Sequence, residues 1–162
     1  MAQMSSRPWP LGIHLDVTNR LWQQVMEKSI AYTWINRPHW LALSAIEELG
    51  DGCTLTQIVS HLHSDISTIS RALKFLEQHE LITKDVQDDK RAKGVFMAPE
   101  GVRILREIDQ AAQRVRAQLL AETTPEQRAV FQSVLSSIRT QATQMLEHED
   151  SQLQRSSARE EQ

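Results

Sequence analysis

Two short apolar-periodic runs with almost nothing between them constrain this chain most. The first carries Leu55, Ile58, Val59 and Leu62 and ends near His61-Leu62-His63; the second carries Ile66, Ile69, Leu73 and Leu76; Ser64 and Asp65 separate them. Apolar residues recurring three and four apart line one face of a helix. Two helices joined by about three or four residues form the helix-turn-helix arrangement. The first run has its own start signal in Thr54-Leu55-Thr56-Gln57, where the Thr54 hydroxyl meets the Gln57 amide and the Gln57 side chain reaches back.

Directly downstream the period changes. Residues 81–86 and 95–98 alternate as strands do, around the polar loop 87–94, which predicts a hairpin with a long charged tip. Upstream, Leu11, Leu15, Trp22, Val25, Met26 and Ile30 predict a long first helix. Asn36 caps a second one with Pro38 in its first turn. Trp40, Leu41, Leu43, Ala45, Ile46 and Leu49 make that helix apolar around much of its circumference, so it belongs at the centre, and Gly50-Asp51-Gly52 ends it.

After the hairpin, Pro99 opens a stripe of Val102, Leu105, Ile108, Ala112, Val115 and Leu119. Thr124-Pro125-Glu126-Gln127 opens the last helix with a capping box and a proline at its first position. Its stripe is Val130, Phe131, Val134, Leu135, Ile138, Ala142, Met145 and Leu146; beyond His148 the chain is polar and aperiodic, and disorder is expected. The expected fold class is therefore mainly α (α+β).

At 162 residues, with 40% hydrophobic and 24% charged residues, the chain has globular composition. No apolar run approaches the roughly 20 residues of a membrane span, and the N-terminal ten residues lack the apolar core of a secretory signal. A cytoplasmic protein without membrane contact is expected. A single cysteine, Cys53, agrees with a reducing compartment. The net charge of −3 gives no global pull toward phosphate, so a nucleic-acid role must rest on a local basic patch.

Two segments offer one. On the second helix of the pair, Ser67, Thr68, Ser70, Arg71 and Lys74 stand among the apolar positions, leaving one face to pack and one free. A helix fits the major groove, where arginine forks onto guanine O6 and N7 and hydroxyls meet bases or phosphate. Arg71 is the expected base reader; the alternative is an ordinary solvated face. In Asp88-Asp89-Lys90-Arg91-Ala92-Lys93, three cations sit at the hairpin tip, with Asp89 placed to orient Arg91; a narrow minor groove attracts such an arginine.

Order of elements and residues together resemble the MarR/SlyA family of bacterial regulators over most of the chain. Arg37-Pro38-His39-Trp40 is similar to the start of that family's second helix, Ser67-Thr68-Ile69-Ser70-Arg71 through Leu76-Glu77 and Leu81-Ile82 to its recognition helix and exit, and Asp89-Lys90-Arg91-Ala92-Lys93 to its wing signature. The resemblance implies a winged helix-turn-helix with a two-stranded wing and N- and C-terminal dimerisation helices. The chain then divides into a flexible N-terminus (1–10), a dimerisation helix (11–35), the DNA-binding lobe (36–98), two further dimerisation helices (99–147) and a disordered tail (148–162). It implies a homodimer on a pseudo-palindrome of double-stranded DNA, with Arg91 and Lys90 in the minor groove.

Two positions depart from the pattern. Ala98 replaces the usual Ser or Thr cap, at a cost of about 1 kcal/mol to that helix start, and Glu80 replaces the usual glycine, which argues against a positive-φ turn there.

The remaining groups have competing readings. Trp22, Trp34, His39 and Trp40 are either core packing or, as the resemblance implies, the walls of a cleft for a small aromatic acid, with Arg20, Arg37 or His39 as carboxylate partner. Cys53 is either a redox sensor or a bystander thiol. His61 and His63 with Cys53 have zinc-binding elements but no zinc spacing, and surface histidines are the other reading, with His63 near phosphate. No nucleophile, base and oxyanion donor stand together and no glycine-rich phosphate loop occurs, so no enzyme, metal or cofactor is expected. The rival to DNA binding is a winged-helix dimer serving as a protein-interaction or small-molecule-binding module.

Overall fold

The computed structural model describes residues 9–86 and 93–160. The elements are α1 (Leu11–Ile30), α2 (Arg37–Leu49), α3 (Leu55–Leu62), α4 (Ile66–Gln78), strands β1 (Ile82–Val86) and β2 (Lys93–Met97), α5 (Pro99–Leu119) and α6 (Pro125–Glu160). They fall into two units, one ending at Gln118 and the other beginning at Leu119.

In the first unit α2 is the centre, with Ala42, Leu43, Ala45 and Ile46 all buried and α3, α4 and β2 packed on it. Its start is held by a reciprocal cap: Asn36 Oδ1 accepts from the His39 amide at 3.2 Å and His39 Nδ1 accepts from the Asn36 amide at 3.4 Å. The α3 box forms as expected, with the Gln57 amide on Thr54 Oγ1 at 3.3 Å and the Thr54 amide on Gln57 Oε1 at 2.8 Å. Ile58, Ile69, Leu73, Leu76, Leu81, Ile82, Val95, Leu105 and Ile108 complete one continuous core. On α5 the buried positions include Ile104 and Ala111, while Leu119 is exposed; the buried stripe is rotated from the one the sequence suggests.

The hairpin pairs Ile82 with Met97 through Val86 with Lys93. β2 thus begins at Lys93, two residues earlier than the alternation indicates, because pairing runs on past the apolar positions to place Gly94 opposite Asp85. Lys93 is a strand residue rather than a tip residue. Cys53 forms a bridge with Val95 that adds a short third edge to the sheet, and its buried thiol is pushed up from the ordinary range by desolvation.

Glu80 corrects an expectation. It takes φ of +59° without being glycine, since the α4 exit needs a left-handed residue there: the Leu81 amide reaches back to Leu76 O at 2.9 Å and the Glu80 amide to Glu77 O at 3.1 Å, the paired bonds of a Schellman turn. That exit carries α5. The Ala98 amide donates to Leu81 O at 3.0 Å, and a Cβ at Gly101 would stand 2.1 Å from the same oxygen, so only glycine lets α5 seat this closely.

In the second unit α6 continues to Glu160, through the stretch where a disordered tail is expected from 148. Residues 148–160 contain no glycine or proline and are rich in Glu, Gln and Arg, good helix formers, so the helix continues without an apolar stripe to direct it. The expected flexible N-terminus falls, for residues 1–8, outside the described residues.

Candidate nucleic-acid interface

α3 stops because His63 adopts φ of +47° and lets the Ser64 amide return to Val59 O. Asp65 then caps α4, accepting from the Ser67 amide at 2.6 Å. Three residues therefore separate the helices, which pack on each other and on α2. α4 buries Ile69, Ala72, Leu73 and Leu76 and leaves Ser67, Ser70, Arg71 and Lys74 exposed. Those four stand at i, i+3, i+4 and i+7, a single stripe along the helix. Thr68 lies at its margin, half-buried. All five expected α4 site residues are thus together at one surface.

That surface is internally ordered. The Ser67 hydroxyl donates to both Asp65 oxygens at 2.8 and 2.9 Å and the Thr68 hydroxyl to Asp65 Oδ2 at 3.2 Å. Hydrogen bonds from the Ser67 hydroxyl and amide, with Thr68 adding to them, hold the Asp65 carboxyl below the ordinary carboxylate range. Arg71 folds back along the helix, Nε to Ser67 O at 3.1 Å and Nη2 to Ser67 Oγ at 3.3 Å. Asp65 escaped the sequence reading as a functional group, although an aspartate immediately before an apolar-periodic run is a cap signal.

Lys84 of β1 meets Glu77 of α4 at 2.6 Å, tying the root of the hairpin to the helix. Lys93 is exposed on β2. Asp89, Lys90 and Arg91 lie outside the described residues.

The aromatic set separates into two places. Trp22, Arg37 and Trp40 line a cleft of about 180 Å³ with Met26, Ile30, Leu41, Glu27, Gln23 and Asn19. Trp40 Nε1 is buried without an acceptor among the described residues. Trp34 and His39 go elsewhere: His39 stacks on Phe75 of α4 with ring centroids 3.9 Å apart, and Trp34 sits 4.9 Å from His79 and 5.9 Å from Phe75. These rings fasten the start of α2 and the segment before it to the far end of α4; His39 is buried there, while Trp34 stays exposed. Arg20 pairs with Asp16 one turn away on α1 at 2.8 Å and does not line the cleft.

Among the described residues no three His, Cys, Asp or Glu side chains converge as metal ligands do; His61 Nε2 instead lies 2.7 Å from Glu48 Oε2 of α2. No described helix is long and apolar enough to cross a membrane.

Residues 35–93, from the segment before α2 to the first residue of β2, match the MarR family model. Over that segment the chain is similar to the MarR family. Solved structures agree in fold. A MarR transcriptional regulator from Methanosarcina mazei superposes with a TM-score of 0.76 at 18% identity, covering 83% of this chain and 97% of that one. A MarR mutant from E. coli complexed with operator DNA gives 0.73 at 19%, covering 80% and 93%. BpsR from Bordetella bronchiseptica, solved in a study of the regulation of its DNA binding by 6-hydroxynicotinic acid, gives 0.72 at 17%, covering 85% and 99%. The MarR-family match spans both helices of the pair and the α4 stripe.

Proposed function

We propose that this chain is a sequence-specific double-stranded-DNA-binding transcriptional regulator, a repressor or counter-silencer with no catalytic role, working in the cytoplasm as a homodimer on a pseudo-palindromic operator. The observation that carries the reading is the α4 stripe: on the second helix of a helix-turn-helix, Ser67, Ser70, Arg71 and Lys74 are exposed in line while the opposite stripe is core. A helix so placed enters the major groove. The operator complex of the E. coli relative supports the same use of the fold. Arg91 and Lys90, with Asp89 as orienting acid and Lys93 at the strand end, act in the flanking minor groove.

A second copy of the chain covers the apolar residues left exposed on α1 (Leu11, Leu21, Val25) and α6 (Phe131, Val134, Leu135, Ile138). A small aromatic acid is the effector class, taken by the cleft of Trp22, Arg37 and Trp40, where the Arg37 guanidinium is the carboxylate partner. The aromatic acid in the BpsR study supports that class.

Selection of bound fragments from genomic DNA, followed by anisotropy titrations over a range of salt, tests the reading. Retained fragments should share an inverted repeat, and affinity should fall with a log-log slope of about −0.9 per neutralised phosphate. No retained DNA with a protein recovered instead would establish the interaction module; ligand affinity indifferent to DNA would establish the small-molecule module.

A further inference from the structure

The hydrogen-bond polarity at the start of α4 is set before any DNA arrives. A carboxylate only accepts, and a hydroxyl has a single hydrogen to give. The Ser67 hydrogen goes to Asp65, 2.8 and 2.9 Å away, and the Thr68 hydrogen to Asp65 Oδ2 at 3.2 Å. What these two side chains can still offer is lone pairs. One on Ser67 Oγ receives Arg71 Nη2, which leaves Ser67 as a splint for the arginine. With Nε and Nη2 both turned to Ser67, the outer Nη1–Nη2 edge of Arg71 is the fork available for guanine.

Acceptors do not match everything in the groove. Phosphate oxygens, guanine O6 and thymine O4 all require donors; only adenine N6 and cytosine N4 present hydrogens in the major groove. We infer that Asp65 is a specificity-determining residue: by holding the Ser67 and Thr68 hydroxyl hydrogens it makes this end of α4 an acceptor surface that reads an adenine or cytosine amino group beside the guanine taken by Arg71. The inference deepens the DNA reading above and rests on it. Ser67 thereby changes role, from a base reader to a positioning residue that fixes Arg71, and the Asp65 charge disfavours phosphate at the same end.

The test uses the full chain, Asp65→Asn and Thr68→Val, each selected against duplexes with a randomised core of roughly 20 bp, two half-sites of one helical turn. Asparagine caps a helix as well as aspartate, so the fold is kept, but its amide donates as well as accepts. The unaltered chain should enrich adenine or cytosine at least about fivefold at one position neighbouring an enriched guanine in each half-site. Asp65→Asn should lose that preference while keeping some guanine enrichment, and Thr68→Val, with a methyl where the hydroxyl was, should move the preference toward thymine. An unchanged motif with Asp65→Asn, or guanine or thymine enriched at that position by the unaltered chain, would overturn the inference alone. Failure of the unaltered chain to enrich any motif would overturn the DNA reading and the inference with it.

Discussion

α4 and α6 are both amphipathic, yet opposite faces of the two helices are exposed. On α4 the apolar stripe of Ile69, Ala72, Leu73 and Leu76 is buried within the chain and the polar stripe is free. On α6 the apolar stripe is free: Val130, Phe131, Val134, Leu135, Ile138, Met145 and Leu146 are all exposed. Scattered surface hydrophobics need no explanation, but a contiguous stripe marks an interaction face. The same 3.6-residue pattern thus leaves a polar stripe free where the chain supplies its own apolar cover, and an apolar stripe free where it does not.

The largest expected effect separates the two stripes by stability. Leu73→Ala should lower unfolding free energy by about 2 to 5 kcal/mol in denaturant titrations, independent of protein concentration. Charging the exposed stripe with Phe131→Asp and Val134→Asp should act through assembly instead, weakening dimerisation at least about tenfold by sedimentation, since buried charges lack partners at such a face. A variant pair that stayed dimeric would remove α6 from the assembly surface.

Arg71→Ala touches only the polar stripe. It should cost about 1 to 3 kcal/mol of binding on a selected site and relax one base position per half-site, with folding stability altered by no more than about 0.5 kcal/mol. A uniform loss across sequences would make Arg71 a phosphate contact. At the exit of the same helix, Glu80→Gly should raise stability by up to about 1 kcal/mol, measured by thermal unfolding, because a side chain at φ of +59° is strained and glycine is not.

The smallest effect is a pH dependence with a definite sign. Burial, then the neighbouring His79 imidazole, lowers the His39 pKa from its ordinary 6.5. Below that value the unfolded chain binds a proton that the folded chain resists. Stability from His39 is therefore complete above about pH 6.5 and declines as pH falls toward the lowered value, no more steeply than about 1.4 kcal/mol per pH unit. Protonation would also remove Nδ1 as the acceptor for the Asn36 amide. Denaturant midpoints between pH 5 and 8 should lose this component in His39→Gln.

Much of this was legible in residue spacing. The starts of α2, α3, α5 and α6 were legible because Asn36, Thr54, Pro99 and Thr124 are local signals that act through adjacent backbone. The α4 stripe followed from the same arithmetic. What escaped depends on contacts far along the chain. His39 and Trp34 are drawn to Phe75 and His79 from some 40 residues away, so no local pattern distinguishes their stack from the walls of the cleft. Glu80 takes a conformation its own type disfavours because Leu81 must return to Leu76. The early start of β2 reflects pairing with β1 rather than its own alternation. Asp65 was readable as a cap, but its hold on two hydroxyls depends on how the Ser67 and Thr68 side chains turn back toward it.

The proposed regulator presents two α4 stripes together to one duplex. Hydroxyl-radical footprinting on a selected duplex, with the stoichiometry measured by sedimentation, tests it most directly. Two chains per duplex and two protected stretches centred about 10 bp apart are expected. One chain on one protected stretch, or no protection at all, would contradict it.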